Sequence, residues 1–222
     1  MKTIKGIWRF SRVICYTFVC LFQAYTRFKH VDRKEKGRML RYYPTQVLKL
    51  AGVRCSYEGH VPELLHECGL TDTPPACLVL SNHVSWLDIF SLDSQLPSRF
   101  IAKAEIAKWP IFGLIAQQIG TLFINRSSKR AILRINDDIR GALCNCEAVT
   151  IFAEGTTTFG NELLPIKANF IAPVCEIGAT VQPVILSYKN KGKPTKQAAF
   201  SGDVTLFGSL WNVVTMEDAE VC

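Results

Sequence analysis

PPACLVLSNHVSWLD, residues 74–88, opens with two prolines that break any preceding element. Ala76–Ser81 (ACLVLS) is then a short, unbroken apolar run, the pattern of a strand covered on both faces. Polar Asn82 and His83 end it, and Ser85 to Leu96 reads as a helix. The same strand-then-helix order recurs downstream. Arg99–Lys103 is strand-like, Ile111–Gln118 helical, and Gly120–Asn125 a strand. Ser127 and Ser128 cap a helix reaching about Cys144, Ala148–Ala153 (AVTIFA) is a strand, Ala168–Ile177 is helical, and Val181–Ser187 is the last clear strand. Pro183 suggests an edge or an entrance, because proline cannot donate to a ladder. Asn190–Lys196 (NKGKPTK) reads as a surface loop by composition. Alternation of this kind predicts the α/β class: a single layered domain with a mixed, mainly parallel sheet flanked by helices.

Size and composition agree. A chain of 222 residues, 48% apolar and 20% charged, is long enough for one α/β core and too apolar to be disordered. It has no run of eighteen uncharged apolar residues, which excludes a polytopic membrane protein. Nine cysteines would be an odd count for a disulfide framework, and no small-residue processing site follows an apolar core near the start. The thiols are therefore read as reduced and mostly packed. Cys144-Asn145-Cys146 resembles half a metal site but lacks a second pair at zinc spacing, so no metal role is expected.

The formal net charge of +7 is unevenly placed. Lys2 to Arg41 carries eleven Lys and Arg against two acids, Asp32 and Glu35, and the rest of the chain is slightly acidic. A basic arm implies an anionic partner, nucleic acid or a lipid surface. Within it, residues 13–26 (VICYTFVCLFQAYT) are uncharged. As a helix they rise roughly 21 Å, short of the roughly 30 Å hydrocarbon core of a bilayer. Their apolar side chains point in nearly every direction, with Trp8, Phe10, Tyr25 and Phe28 near the ends. A buried core helix followed by a solvated basic loop is the plainer alternative. Membrane contact is favoured, since flanking aromatics and snorkelling arginines suit an interfacial segment and the run Lys29 to Arg41 suits anionic headgroups. Nucleic acid is disfavoured, because the aromatics do not alternate with the bases. Residues 1–44 are thus read as an N-terminal membrane-associating helical arm, held at the cytoplasmic face, and residues 45–222 as the domain that carries the chemistry.

Four segments could carry that chemistry, each where a strand ends. In Ser81-Asn82-His83-Val84-Ser85-Trp86-Leu87-Asp88, an imidazole can take a proton and a carboxylate can fix its tautomer. Five residues apart on one helix, the two side chains would diverge by about 140°. They meet only if His83 lies on the strand-to-helix turn and Asp88 in the first turns of the helix. Gly120 to Arg126 (GTLFINR) delivers a guanidinium suited to phosphate. Phe152 to Thr158 (FAEGTTT) puts a carboxylate, a glycine and three hydroxyls on one loop. Val181-Gln182-Pro183-Val184 is the fourth. Singly, each also fits an ordinary turn or a solvated side chain.

In this order, NHxSxxD, GxxFIxR, FxEGT and VxPV resemble the motif series of the glycerolipid acyltransferase family, in its 1-acylglycerol-3-phosphate acyltransferase branch. The resemblance covers roughly residues 45–210, and the segments around Phe200-Ser201-Gly202-Asp203 and Ser209-Leu210-Trp211 also resemble the family's later region. It implies His83 as general base, Asp88 as its orienting partner, Arg126 on the acceptor's polar head, and Glu154, Gly155 and Thr156 lining the acceptor site. Pro183 and its strand would belong to the acyl-binding side. A fatty acyl thioester, acyl-CoA or acyl carrier protein, would be the co-substrate, a lysolipid the acceptor, with no cofactor or metal. Two residues depart from the branch: Ala153 stands for a proline and Thr157 for an arginine. The lost cation keeps other lysolipids, including lyso-ornithine lipid, open beside 1-acylglycerol-3-phosphate. The competing classes are a non-catalytic lipid-binding protein and a hydrolase, the latter disfavoured because no GxSxG elbow is present.

Overall fold

The computed structural model describes residues 2–59, 77–125 and 129–222. Five parallel strands form its centre: β2 (Cys77–Ser81), β3 (Arg99–Lys103), β4 (Leu122–Ile124), β5 (Val149–Phe152) and β6 (Thr180–Val184), in the order β4-β3-β5-β2-β6. All four residues of β5 are buried, as a strand covered on both faces requires. Successive side chains alternate between two cores. Ile101, Val149 and Ile151 face Ile135, Ile139 and Leu143 of helix α5 (Lys129–Cys144) and Val174 of α6 (Ala172–Ile177). Phe100 and Phe152 face the other way, onto α3 (Leu87–Gln95) and α2 (Arg33–Ala51). α4 (Phe112–Gln118) joins β3 to β4. Pro183 does sit on an edge strand, and its partner Leu80 lies on the inner neighbour.

A second, smaller sheet has the order β1-β9-β7-β8, with β1 (Val53–Cys55) parallel to β9 (Ala219–Val221) and both other pairs antiparallel. Here the reading of residues 190–196 as a plain loop needs correction. Tyr188–Asn190 (β7) and Lys193–Pro194 (β8) form a hairpin. Its two-residue turn is Lys191-Gly192, both at positive φ (55° and 72°), the backbone that matches strand twist in tight hairpins. Polar composition concealed it.

The N-terminal segment is two helices, α1 (Lys2–Thr26) and α2. Asp32 caps α2 by accepting from the Glu35 N–H at 2.8 Å, and Gly52, at φ 77°, ends it. α2 runs through residues 44 and 45, so the division drawn between arm and domain falls inside a helix. α1 carries apolar side chains on both its buried and its exposed face, as the sequence suggested. Gly6, Arg9, Val13 and Ala24 are buried, while Ile4, Ile7, Trp8, Phe18 and Phe22 are exposed. Among the described residues, no helix is long and apolar enough to cross a membrane.

Three arginines stitch this segment to the body, each at the carboxyl end of a different helix. Arg9 donates to the Val214 and Met216 carbonyls (3.1 and 2.9 Å) at the end of α7 (Leu206–Val214). Arg33 reaches Asn145 and Cys146 (2.8 and 2.7 Å) just beyond α5, and Arg41 reaches Gln95 (2.8 Å), the last residue of α3. The last carbonyls of a helix have no partner within it and carry partial negative charge, so a guanidinium fits both needs. Part of the basic run is therefore committed inside the molecule. Arg9 is the buried member, and a Cβ on Gly52 would fall 2.1 Å from its Cζ. Arg9→Met should lower unfolding free energy by about 2–3 kcal/mol, because two buried carbonyls lose their donor. A urea midpoint equal to that of the parent protein would show that Arg9 is not what holds α1 in place.

Candidate active site

Parallel pairing of β2 with β5 matches Ser81 to Phe152, so the loops leaving both strands emerge side by side at the carboxyl edge of the sheet. Ligand sites of open parallel sheets form at that edge. Asn82 continues the order of β2 one residue further. Its amide donates to the Leu186 carbonyl (2.9 Å) and accepts from the Leu186 N–H (2.7 Å), imitating a peptide. His83 follows on the turn before α3. Its ring stacks on Phe152, with centroids 3.8 Å apart and planes 7° from parallel.

His83 Nδ1 lies 2.8 Å from Asp88 Oδ2. The carboxylate accepts, so Nδ1 carries the proton and Nε2 remains as the basic nitrogen. The same Oδ2 accepts from the Val84 N–H (2.7 Å) and the Ser85 N–H (2.9 Å), and Oδ1 accepts from the Tyr188 hydroxyl. Asp88 is fully buried and the His83 side chain 20% exposed, so the pair has one accessible end, the imidazole. The condition set by the five-residue spacing is met: a bend at residues 83–86 brings the two groups together.

The loop after β5 clamps the histidine by its backbone. Glu154 Oε1 accepts from the His83 N–H (3.1 Å), and the Thr158 N–H donates to the His83 carbonyl (2.8 Å). Glu154 Oε2 accepts from the Leu164 N–H (3.2 Å). Gly155, at φ 75°, makes the turn possible without Cβ strain. Thr157 donates to the Phe200 carbonyl, and Thr158 Oγ1 accepts from the Gly160 N–H. Thr156 is exposed.

His83 opens onto an apolar cavity of about 270 Å³. Its walls come from α1 and α2 (Ala24, Met39, Val47), α3 (Ile89, Phe90), β3 (Phe100) and α4 (Phe112, Ile115). Asp93 also lines it, buried and accepting from the Ser98 N–H (3.0 Å), and burial pushes its carboxyl well above the usual carboxylate range. Burial and the neighbouring Asp88 charge likewise push the Tyr188 phenol up. A proton acceptor at the wall of an apolar cavity suits a reaction between a hydroxyl and an apolar chain. Among the described residues, no group of three His, Cys, Asp or Glu side chains could hold a metal ion.

Comparison with known proteins supports the same direction. The Acyltransferase family model matches residues 61–187. The chain belongs to the Acyltransferase family. It is 43% identical over 145 residues to a 1-acyl-sn-glycerol-3-phosphate acyltransferase of Neisseria gonorrhoeae, covering 65% of this chain and 56% of that one. Identity is 40% over 144 residues to a lyso-ornithine lipid O-acyltransferase of Pseudomonas aeruginosa, covering 65% and 55%. A protein of the same description from Rhizobium meliloti is 32% identical over 204 residues, covering 86% and 66%. The chain thus spans about half to two thirds of the length of these relatives. The crystal structure of the 1-acyl-sn-glycerophosphate acyltransferase of Thermotoga maritima superposes with a TM-score of 0.58 at 17% identity, over 97% of this chain and 95% of that one, a likeness of fold.

Of the residues singled out from sequence, His83, Asp88, Glu154 and Gly155 converge in this acyltransferase-family fold. Arg126, with the capping pair Ser127 and Ser128, lies outside the described residues. Glu154 is buried, and each of its oxygens accepts from a backbone N–H group. Pro183 borders a separate cavity, with Gln95 and Thr150. Sequence reasoning missed Tyr188, a hundred residues from Asp88, and the stacking role of Phe152. Nothing local signals the first, whereas the place of Phe152 two residues before Glu154 could have suggested the second. Glu154→Ala should strip protection from the His83 and Leu164 amides. Their hydrogen exchange is expected to accelerate roughly 30-fold, matching about 2 kcal/mol for lost bonds to a charged group. Unchanged exchange at both amides would remove Glu154 from this clamp.

Proposed function

We propose that the protein transfers a fatty acyl group from an acyl thioester, acyl-CoA or acyl carrier protein, to the free hydroxyl of a lysolipid. 1-Acylglycerol-3-phosphate is the leading acceptor, giving phosphatidic acid. The observation that carries the reading is the 2.8 Å contact between His83 Nδ1 and the buried Asp88 carboxylate, with the imidazole at the wall of an apolar cavity. His83 Nε2 takes the proton of the acceptor hydroxyl as its oxygen attacks the thioester carbonyl. The tetrahedral intermediate collapses with cleavage of the C–S bond, and the departing thiolate recovers the proton from the imidazolium. Asp88 holds the tautomer and balances the imidazolium charge. The thioester supplies the activation, so the reaction is drawn without a further cofactor.

A second acceptor, lyso-ornithine lipid, is favoured by one observation. Thr157, where the phosphatidic-acid-forming branch has an arginine, spends its hydroxyl on the Phe200 carbonyl and brings no charge. Labelled acyl-CoA offered with separate lysolipids distinguishes the two by the product formed. His83→Ala should lower turnover by about 10²–10⁴-fold with the fold intact, and Asp88→Asn should impair turnover while leaving substrate affinity close to the parent's. Near-parent turnover of the His83 variant would overturn the general-base assignment.

The exposed face of α1 is the proposed contact with an anionic membrane, at the cytoplasmic side. Ile4, Ile7, Trp8, Phe18 and Phe22 share it, and Arg12 lies over the Trp8 ring at 4.0 Å. Lys29 and Lys34 beyond its end are exposed and suit anionic headgroups. The same two helices help to wall the cavity, so this contact would bring the site close to the bilayer from which a lysolipid is drawn. Replacing Phe18 and Phe22 together by serine should weaken co-sedimentation of the full chain with anionic vesicles at least tenfold, given roughly 1.5–3 kcal/mol for each buried phenylalanine. Undiminished sedimentation would rule out this face.

A further inference from the structure

We infer that Tyr188 is a positioning residue for the His83–Asp88 pair, its hydroxyl holding the carboxylate oxygen that the imidazole does not use. The inference rests on the acyl-transfer reading above and deepens it.

Three of the four donors to Asp88 are local. His83 Nδ1, Val84 N and Ser85 N all lie within five residues and all converge on Oδ2. Oδ1 takes its hydrogen bond from Tyr188, on the first residue of β7 and a hundred positions away. A fully buried carboxylate with one oxygen unbonded would be costly, because that oxygen would lose water without gaining a donor. The tyrosine is itself fixed from both directions. It pairs with Val221 across β9, its carbonyl accepts from the Thr195 N–H at 2.9 Å, and Leu186, two residues earlier, is held by both atoms of the Asn82 amide. The segment that Asn82 anchors is thus the one that delivers the phenol to Asp88. Burial and the Asp88 charge both disfavour loss of the phenolic proton, so the hydroxyl stays a donor across the working pH range.

The other titratable groups close to this cluster, among the described residues, are few. Glu154 bonds the His83 backbone rather than its ring, Cys55 on β1 lies near Tyr188 and bonds Ser91, and Asp93 borders the same cavity and bonds Ser98. None of them donates to Asp88. With the phenol gone, the buried anion loses a quarter of its donors. The pair then binds a proton more tightly, whichever atom receives it.

Tyr188→Phe keeps the ring and removes the donor. The acid limb of its kcat/KM profile, measured with the thioester and lysolipid that the parent turns over fastest, should move up by about one pH unit. Activity should be about tenfold lower below that limb and near the parent's well above it, with the KM for the thioester unchanged. Replacing Tyr188 by 3-fluorotyrosine, a stronger donor of the same shape, should move the limb the other way, and this keeps the test open if the phenylalanine variant fails to fold. Limbs that superimpose on the parent's in the folded variants would overturn the inference. His83→Ala, assayed in parallel, separates the two levels. If it is inactive and the limbs do not move, only the role of Tyr188 falls; if it stays active, the acyl-transfer reading falls first.

Discussion

A carboxylate with no exposure to water must have its charge met by donors that the fold supplies, and around Asp88 that requirement organises the site. Two donors are the N–H groups of Val84 and Ser85, which exist as a pair only because the chain bends between β2 and α3. A third is the imidazole of His83, oriented by that bond and by stacking on Phe152. The fourth crosses from the smaller sheet. Three donors order the turn that leads from β2 into α3 and the fourth holds β7, so one buried charge ties these stretches to a single geometry. Burial raises the cost of any missing partner, which makes such a network rigid when complete.

The site is therefore built from its backbone outward. Glu154 and Thr158 grip His83 at its N–H and carbonyl, Asn82 grips the segment leading to Tyr188, and the side chain left over is the imidazole, partly exposed at the wall of an apolar cavity. That arrangement matches what an acyl transfer between amphiphiles demands. A proton acceptor must stand still while a hydroxyl and a thioester carbonyl are brought together, and water must be kept from the acyl chain. The two N-terminal helices contribute to the same cavity wall that the sheet and α3 begin. Their arginines, spent on the carboxyl ends of α3, α5 and α7, hold that wall in place.

Much of the scaffold was legible because its signals are local. The short apolar-rich runs at residues 77–81 and 149–152 read as strands covered on both faces, and the proline at 183 as the mark of an edge or an entrance. The hairpin at Tyr188–Pro194 was hidden because its turn is Lys-Gly in a polar stretch, without the Asn-Gly that usually announces it. The buried stripe of α1 was not legible for another reason. Composition reports how apolar a helix is, but which stripe is buried depends on the surface it meets, and here that stripe includes an arginine.

By itself the sequence determined the succession of strands and helices that builds the central sheet, the presence of an imidazole and a carboxylate at a spacing that needs a bend, and the family to which the motifs point. Periodicity, chain breakers and short motifs are properties of neighbouring residues, and neighbours are what a linear string records. Tertiary structure alone decided that Glu154 braces the histidine backbone, that Tyr188 completes the shell of Asp88, and that three arginines of the first two helices cap helices of the body. Each of these joins residues from about fifty to two hundred positions apart. The parallel register of β2 with β5, the packing of the second sheet and the packing of the first two helices on the body bring them within hydrogen-bonding distance, and no local pattern encodes that proximity.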